Sequence, residues 1–401
     1  MPVQQAQQVQ DTQKAKDIIM DEKRPPAEVA WFSALCDDDY EYLGVADPSL
    51  VSSWEHCRDI VQTAENQGFD NVLLPSGYGL GIDGTTFAAG IATVTQRIRL
   101  LLAIRMGEMW PPQLARQIAS LDRMAGGRLT LNIISSDLPG ETLESEPRYA
   151  RTREYMSVLR QLLNRQPIEH HGEFLDLVLD PPRIGTVSGS CPPFYFGGFS
   201  DAAKETAAAQ ADVFLTWPDT VAGVAATVED MRKRAHKYGR TLRYGLRSHV
   251  IVRESEAEAR GAARQLVSRL EDRSGEKIRK RSLDAASVGV ARQTQLREQS
   301  DAEGFVEEGL WTGIGRARSG AGAALVGDPD QIVARLEAYR AAGVDAFILS
   351  GYPHIAECES VGRLVLGKFD HAQPGPLEHP SSPYQAPEPP RSAGLAKEKR
   401  P

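Results

Sequence analysis

Eight short apolar segments recur along the chain, and each is followed by a segment whose apolar positions have helical spacing. They predict strands at residues 29–35, 71–76, 99–107, 128–136, 193–198, 212–217, 243–254 and 345–353. The third intervening helix is the clearest, because Leu114, Ile118 and Leu121 recur at helical spacing and Gly126 follows as a stop. Alternating strands and helices indicate a parallel sheet covered on both faces. Eight such units favour a closed (β/α)8 TIM barrel of the α/β class over an open sheet.

Two of the strand-to-strand connections are longer than a plain βαβ unit, which needs roughly 30 residues. We therefore expect insertions after strand 4 and after strand 7. The second insertion, residues 255–322, contains the segments DRSGEKIRKRSLD and GIGRARSGAGA, which are polar, basic and rich in glycine. This composition favours a mobile lid, or at least a flexible loop, over a packed core segment. The barrel domain as a whole is predicted at residues 28–370.

The two ends of the chain have compositions that do not support a packed core. Residues 1–27 are rich in Gln, Asp and Lys and are predicted to form a disordered arm. Residues 371–401 are rich in proline and lack a periodic apolar face, so we predict an extended tail. We expect this tail to contact the partner subunit of a homodimer.

Composition and charge limit the classes of partner. The 401 residues are 41% hydrophobic and 25% charged, as in ordinary soluble globular proteins. The net charge of -8 argues against a broad nucleic-acid interface but allows a local cationic pocket for a small anion. The cysteines form no CxxC pair, so we expect no metal site and no disulfide framework. Without an apolar run of membrane-spanning length or a signal peptide, the sequence predicts a cytoplasmic protein.

The seventh predicted strand, RYGLRSHVIVRE, carries two cations on one of its faces. Arg247 and His249 share one parity of the strand, while Tyr244, Leu246 and Val250 share the other. In a sheet covered on both faces, the two cations point into a core, where a charge needs a partner or a function. Two interpretations remain open on this strand alone: neutralisation by nearby carboxylates, or a binding site.

Further polar and aromatic side chains follow other predicted strands at the same end of the barrel. Trp217 ends strand 6, Arg318 lies in the predicted lid, and Tyr352 and His354 end strand 8. Because functional residues of TIM barrels lie at the carboxyl ends of the strands, we expect these side chains to meet the two cations of strand 7. Two arginines, two histidines and a tyrosine suit an oxyanion with several acceptor oxygens, such as a phosphate or a sulfonate.

The loop after strand 5 is a candidate phosphate-binding site. Gly198, Phe199 and Ser200 join the strand directly to a helix, whose first N–H groups can bind an anion. The alternative is an ordinary helix N-cap whose glycines serve the turn. GYGLGIDG at residues 77–84 also follows a strand, but its GxGxG spacing argues against a Rossmann dinucleotide site. Polar groups at and after the end of strand 4 are further candidates, or plain caps: Asn132, Ser135 and Tyr149.

Several segments, taken in order, resemble one protein family. They are WFSALCDDDYEYLG, QLARQIASLDRMAGGRLTLNIISS, PFYFGGFSDAA, VFLTW, RYGLRSHVIVRE, SGAGAALVGD and LSGYPH. Over about residues 29–368 the chain resembles the luciferase-like, reduced-flavin-dependent monooxygenases, in their alkanesulfonate monooxygenase branch. The resemblance implies a barrel of the bacterial luciferase type that takes reduced FMN (FMNH2) from a separate NAD(P)H-dependent flavin reductase. With O2 as cosubstrate, such enzymes cleave a carbon–sulfur bond to an aldehyde and sulfite.

The resemblance also implies roles for individual residues. Those that match sulfonate-binding and catalytic positions of the family are Trp217, Arg247, His249, Arg318, Tyr352 and His354. Those in or near the segments that match its FMN contacts are Asn132, Ser135, Tyr149, Gly198, Phe199 and Ser200. No metal ligand is implied.

Departures from the alkanesulfonate enzymes bear on the substrate. The chain has no cysteine after strand 2, and it adds a proline-rich tail and the acidic run DDDYEY, which are more similar to the sulfoquinovose monooxygenases. Sugar hydroxyls favour carboxylate acceptors, and the candidates, unless they are solvated loop charges, are Asp37, Asp38, Asp39 and Glu41. We expect oxidation of sulfoquinovose to 6-oxo-glucose and sulfite. The alternatives are an alkanesulfonate substrate, a deazaflavin-dependent dehydrogenase and a non-catalytic binding barrel.

Overall fold

In a computed structural model, parallel strands close into a barrel. The structure describes residues 24–79, 81–279, 287–318 and 320–372. Within them the barrel strands are β1 (Glu28–Phe32), β2 (Asn71–Leu74), β3 (Arg99–Arg105), β4 (Leu129–Ile134), β5 (Phe194–Gly197), β6 (Val213–Thr216), β7 (Arg243–Val252) and β8 (Ala346–Ser350). Each strand pairs with the next, and β8 pairs with β1 to close the ring. The α/β class, the TIM barrel and all eight predicted strands are confirmed.

The strands are apolar on both faces because each face is covered. In β1, Val29 and Trp31 pack in the large hydrophobic cluster between the strands and the surrounding helices. Ala30 and Phe32, of the other parity, pack inside the barrel with Leu73 and other side chains from facing strands. This two-sided burial accounts for the nearly continuous apolar runs from which the strands were predicted.

Helices surround the barrel and are placed by ordinary capping signals. Among the described residues they are α1 (Trp54–Gln67), α2 (Gly84–Ala92), α3 (Pro111–Met124), α4 (Ser145–Leu163), α5 (Asp201–Gln210), α6 (Val221–Lys237), α7 (Glu256–Leu266), α8 (Asp272–Arg279), α9 (Val288–Glu298), α10 (Pro329–Ala341) and α11 (His354–Leu364). Ser53 caps the start of α1, and Gly68 ends it with a φ of 90°, a left-handed conformation that favours glycine. None of the described helices is long and apolar enough to cross a membrane.

The two predicted insertions are present and have structure of their own. After β4, an antiparallel hairpin of Ile168–His171 and Asp176–Leu179 follows α4. After β7 come α7, α8 and α9, and then a hairpin of Phe305–Glu307 and Leu310–Trp311. A further strand, Ala324–Gly327, pairs in parallel with the carboxyl half of β7. The second insertion therefore lies against the carboxyl end of the barrel.

The glycine-rich part of the second insertion is packed at residues 313–318, while flexibility of the segment 313–320 stays a prediction. Ile314, Ala317 and Ala323 are buried. Glycine allows the backbone to approach closely here, since a Cβ on Gly315 would lie 2.7 Å from the carbonyl oxygen of Gly322. Low hydrophobicity was a poor guide because small residues fill this space. Lid movement of the insertion stays a prediction.

Short segments at both ends of the barrel domain pack together. The Ala27 N–H donates to the Asp370 carbonyl at 3.1 Å, and Arg340 Nη2 donates to the Pro25 carbonyl at 2.8 Å. Residues 24–27, predicted as part of the disordered arm, therefore contact the barrel. The rest of the predicted arm, residues 1–23, and the tail from residue 373 onward lie outside the described residues.

A buried polar cluster closes the amino-terminal end of the barrel interior. Glu28, at the start of β1, is 4% exposed. Its carboxylate lies 2.8 Å from Tyr195 Oη, 3.0 Å from Asn71 Nδ2 and 3.3 Å from Arg243 Nη1. This network satisfies a charge that would otherwise be costly to bury.

Replacing Glu28 by alanine is expected to lower the free energy of unfolding by about 3 kcal/mol, because the buried Tyr195 hydroxyl loses its acceptor. The control is Glu303→Ala, which breaks an ion pair whose carboxylate is 61% exposed, with an expected loss below about 1 kcal/mol. Urea unfolding followed by circular dichroism measures both. Similar small losses for the two variants would contradict the cluster's structural role.

Candidate active site

A cavity of about 660 Å³ opens at the carboxyl ends of the barrel strands. Its wall combines the loops after β1 and β2, the ends of β3, β4, β6 and β7, and residues of the second insertion. Three of the predicted catalytic residues lie in this wall: Trp217, Arg247 and Arg318. The end of the barrel at which function was expected is therefore the end that holds the cavity.

The guanidinium of Arg247 lies in this wall with no carboxylate at ion-pair distance among the described residues. Its Cζ is 4.1 Å from the centre of the Phe32 ring, and its Nη1 is 3.5 Å from Ser350 Oγ, a weak contact. Burial, and then the charge of Arg318, lower the pKa of Arg247 to about 10, so it remains a cation at neutral pH. Neutralisation by carboxylates therefore does not hold for Arg247. Its unused donors are suited to an anion.

Arg318 reaches the same wall from the second insertion. Its Nη2 is 3.1 Å from Asp38 Oδ2, and its Cζ is 6.0 Å from the centre of the Tyr352 ring. Burial lowers the pKa of Arg318, but Tyr352 and Asp38 raise it by more, so this pKa lies above its ordinary value. Of these two arginines, Arg318 thus has a carboxylate partner among the described residues and Arg247 does not.

His249 lies on the same strand as Arg247 and is 1% exposed. Its Nδ1 is 2.8 Å from Ser350 Oγ, while its Nε2 has no hydrogen-bond partner in the described part of the chain. Burial lowers the pKa of His249 well below its ordinary value, and the charges of Arg247 and Arg318 add to this. His249 is therefore neutral at neutral pH, with one ring nitrogen held by Ser350 and the other free.

Tyr352 and His354 continue a buried layer beside His249. The Tyr352 ring centre is 5.3 Å from those of both histidines. Tyr352 Oη and both ring nitrogens of His354 have no partner within the described ranges. Burial lowers the pKa of His354 and raises the pKa of Tyr352, so both are neutral. Phe32 packs on His354 at 5.7 Å and lines the cavity, so the predicted rim divides into a wall and a layer behind it.

The residues predicted to contact FMN lie beside the wall, in and around the loop after β5. Phe199 packs on Trp217 with ring centres 5.7 Å apart, which joins this loop to the cavity. Gly198 has a φ of 158°, and a Cβ there would lie 2.5 Å from Ala203 Cβ, so the position requires glycine. Ser200 Oγ accepts from the Ala203 N–H at 3.2 Å and is the N-cap of α5. The N-cap interpretation therefore holds for Ser200, and it leaves an anion site at Gly198 open.

The three candidates on β4 and α4 are brought to different places. A Cβ on Gly198 would lie 3.5 Å from Tyr149 Oη, so Tyr149 lies beside the glycine turn. Ser135 Oγ accepts from Thr152 Oγ1 at 2.8 Å, and Asn132 is half-buried on β4 beside Tyr195. None of the six predicted FMN residues is in the cavity wall itself.

The acidic run after β1 divides between the cavity and the framework. Asp37 and Asp38 line the cavity. Asp39 does not, because its Oδ1 accepts from the His354 backbone N–H at 2.9 Å and its Oδ2 lies 2.8 Å from His56 Nε2. Glu41 is exposed outside the wall. Of the four candidate acids, Asp37 and Asp38 thus lie in the cavity wall, Asp39 is bound to the framework, and the alternative of a solvated loop charge fits Glu41.

Sequence reasoning missed three residues of the site. Arg105 lines the cavity and donates to Ser136 Oγ at 2.6 Å and to Glu108 Oε1 at 3.0 Å. Cys36 also lines it, and burial raises the pKa of its thiol to about 12. Ser350 contacts both Arg247 and His249 of β7. Arg105 and Ser350 could have been found as polar residues ending the apolar strands RLLLAIR and AFILS. No group of potential metal ligands occurs in the described residues.

Comparison with known proteins identifies a family and two similar relatives. A family model described as luciferase-like monooxygenase matches residues 32–346. The chain is 61% identical over 357 residues to a sulfoquinovose monooxygenase from Novosphingobium aromaticivorans. The aligned residues cover 87% of this chain and 98% of that protein. It is 53% identical over 343 residues to a sulfoquinovose monooxygenase from Agrobacterium fabrum. The aligned residues cover 85% of this chain and 89% of that protein.

A solved structure shows the same fold at low identity. It is a riboflavin lyase with modified FMN and riboflavin. The two chains superpose with a TM-score of 0.70 at 15% identity, over 85% of this chain and 91% of the lyase chain. At this identity the likeness concerns the fold alone.

Anion binding at Arg247 is expected to be independent of pH between about 7 and 9. Arg247 stays protonated over this range because its pKa is about 10, and the lowered pKa values of His249 and His354 keep both histidines neutral. As pH falls, a histidine gains its charge only below its lowered pKa, so stronger binding is confined to acidic pH. Calorimetric titration with sulfate measures this, with Arg247→Gln as the control that does not bind. A transition in affinity between pH 7 and 9 would contradict the assignment.

Proposed function

Since the chain belongs to the luciferase-like monooxygenase family, we propose that it oxidises sulfoquinovose at the carbon that carries the sulfonate. The sulfonate, O2 and FMNH2 give 6-oxo-glucose, sulfite, FMN, water and a proton. Both relatives described above carry this substrate in their names. The observation that carries the proposal is Arg247, a half-buried cation in the cavity wall whose donors have no carboxylate partner among the described residues.

Arg247 binds the sulfonate through charge-assisted hydrogen bonds. A sulfonate offers three acceptor oxygens, and a guanidinium presents several donors in one plane, so the pair is stronger than one between neutral groups. Arg318 lies in the same wall and contributes a second set of donors while it keeps Asp38 as its partner. Trp217 forms another part of the wall and limits where the rest of the substrate can lie.

A base must take a proton from the sulfonated carbon as the carbon–sulfur bond breaks. His249 and His354 are both neutral, and each has a ring nitrogen without a partner among the described residues. Ser350 holds His249 through Nδ1 and so orients its free Nε2. The anionic substrate favours the protonated form of a nearby imidazole, so its charge helps either histidine to accept the proton. Tyr352, neutral and packed against both, is a candidate donor to the departing sulfite.

The chain has a suitable place for the flavin. When bound, reduced FMN supplies the two electrons that activate O2. The turn at Gly198 leads directly into the first turn of α5, whose backbone N–H groups can bind the phosphate. The Phe199–Trp217 contact joins this turn to the cavity, so one flavin can reach from the turn to the sulfonate site. We assign the remaining contacts to Asn132, Ser135, Tyr149 and Ser200.

The second insertion has the position needed to exclude water. Ile278, Val290 and Ala321 of this insertion line the cavity beside Arg318. Closure of a lid over the site protects reactive species from water. Movement of Arg318 with the insertion is part of this proposal. We also propose that a separate NAD(P)H-dependent reductase delivers FMNH2 and that the enzyme is a cytoplasmic homodimer in which the proline-rich tail contacts the partner subunit.

Sulfite release is the expected outcome when the protein is supplied with FMNH2, air and sulfoquinovose. We expect kcat/KM for sulfoquinovose to exceed that for octanesulfonate at least about tenfold, because the cavity contains polar acceptors that an alkyl chain cannot use. His249→Ala is expected to lose sulfite formation while retaining its fold by circular dichroism. Thiol-reactive colorimetry measures sulfite.

Each other outcome points to a different function. A higher kcat/KM for octanesulfonate overturns the sugar assignment and leaves desulfonation standing. Hydride transfer to a deazaflavin with no sulfite identifies a dehydrogenase. Binding of both sulfonates without turnover identifies a binding barrel.

A further inference from the structure

Asp38 is a carboxylate in the wall of a cavity that also holds the cations Arg247 and Arg318, which suit an anion. Asp38 is 5% exposed and lines the cavity. Its Oδ2 lies 3.1 Å from Arg318 Nη2. Its Oδ1 is buried and has no hydrogen-bond partner in the described part of the chain. One half of this carboxylate is therefore satisfied and the other half is not.

The free oxygen of Asp38 is not explained by the sulfonate. Two anions repel each other, so the carboxylate of Asp38 does not itself help to bind the sulfonate. A buried carboxylate oxygen without a donor also costs stability. Arg318 needs a single oxygen as its partner, and Oδ2 provides it. Oδ1 therefore calls for a donor that arrives with the ligand, and on an anionic sugar the available donors are hydroxyl groups.

The neighbouring acids do not share this property. Asp37 Oδ1 accepts from the Ser52 N–H at 2.7 Å, and the Asp37 N–H donates to Ser52 Oγ at 2.7 Å, so Asp37 is paired with Ser52. Asp39 is bound to the framework through both oxygens. Glu41 is exposed outside the wall. Asp38 is thus the acid after β1 that combines burial, a place in the wall and an unpartnered oxygen.

Arg318 fixes which hydroxyl Asp38 can reach. If Arg318 donates both to the sulfonate and to Asp38, the two acceptors are separated by the width of one guanidinium, so Asp38 lies near the sulfonated end of the ligand. In sulfoquinovose the sulfonate is on C6, and C5 carries the ring oxygen. The nearest hydroxyl along the chain is therefore on C4.

We propose that Asp38 Oδ1 accepts a hydrogen bond from the C4 hydroxyl of sulfoquinovose and so selects a sulfonated sugar over an alkanesulfonate. This inference rests on the proposed function of the site. An alkanesulfonate would leave the same oxygen buried and unpaired, and sites that lose a hydrogen bond to a buried polar group discriminate strongly. Asp38 is thereby a specificity-determining residue, distinct from the cations that bind the sulfonate.

The test compares sulfoquinovose with its 4-deoxy analogue in the full-length enzyme supplied with FMNH2 and O2. For the unsubstituted protein, kcat/KM from sulfite release should fall about 10- to 100-fold when the C4 hydroxyl is removed, as for a lost bond to a charged acceptor. In Asp38→Ala the two sugars should react with kcat/KM values within about threefold of each other, because the partner of that hydroxyl is gone. Glu41→Ala, in the same loop but exposed, should keep the full difference.

The outcomes separate this inference from the function on which it rests. If Asp38→Ala keeps the unsubstituted protein's preference for the hydroxyl, or weakens both sugars equally as loss of a mere counterion to Arg318 would, the inference is overturned while desulfonation stands. If the unsubstituted protein makes no sulfite from sulfoquinovose, the proposed function itself fails. If Asp38→Ala and Asp38→Asn do not fold, a series of monodeoxy sugars on the unsubstituted protein decides the question. The largest loss must then be at C4, and a larger loss at C2 or C3 refutes the contact.

Discussion

The active end of this barrel depends on a half-buried cation, Arg247, that no carboxylate of the described residues neutralises. Arg243 and Arg247 lie on β7 with the same parity, so both side chains belong to the same face of the strand. Arg243 is at the start of the strand, and Arg247 lies nearer its carboxyl end. Arg243 pairs with Glu28 and Asp345, and the polar cluster around Glu28 is closed. Arg247 rests on an aromatic ring with no carboxylate at ion-pair distance among the described residues. The interior is thus satisfied at one end and left to be completed by an anion at the other.

The surrounding groups follow from that charge. Burial beside Arg247 and Arg318 keeps His249 neutral, so a potential base is available next to the place where an anion binds. Asp38 holds Arg318 in the wall without approaching Arg247 to ion-pair distance, which leaves one arginine free. Phe32 packs on both Arg247 and His354, so the wall and the buried layer behind it form one unit. Phe32 and the second insertion therefore border the same cavity as Arg247.

Much of this arrangement could be predicted from sequence, because it depends on local periodicity. Two-sided burial makes each strand apolar, and this revealed all eight strands, while alternation in β7 placed Arg247 and His249 on one face. The partners could not be predicted, since they depend on contacts far apart in the chain: Glu28 and Arg243 are 215 residues apart. For the same reason the sequence could not divide the acids after β1 into Asp38, in the wall, and Asp39, bound to His56 and to α11. The packed glycine-rich segment was missed because composition does not report how closely small residues approach.

The most direct test of the account is the contribution of Arg247 to binding of the sulfonate group. Calorimetric titration at neutral pH with sulfoquinovose and with glucose gives the two dissociation constants, for the unsubstituted protein and for Arg247→Gln. A cation without a carboxylate partner in the cavity wall predicts that the unsubstituted protein binds sulfoquinovose at least about 100-fold more tightly than glucose and that Arg247→Gln loses most of this preference. A folded Arg247→Gln variant that retained the full preference would show that another group binds the sulfonate.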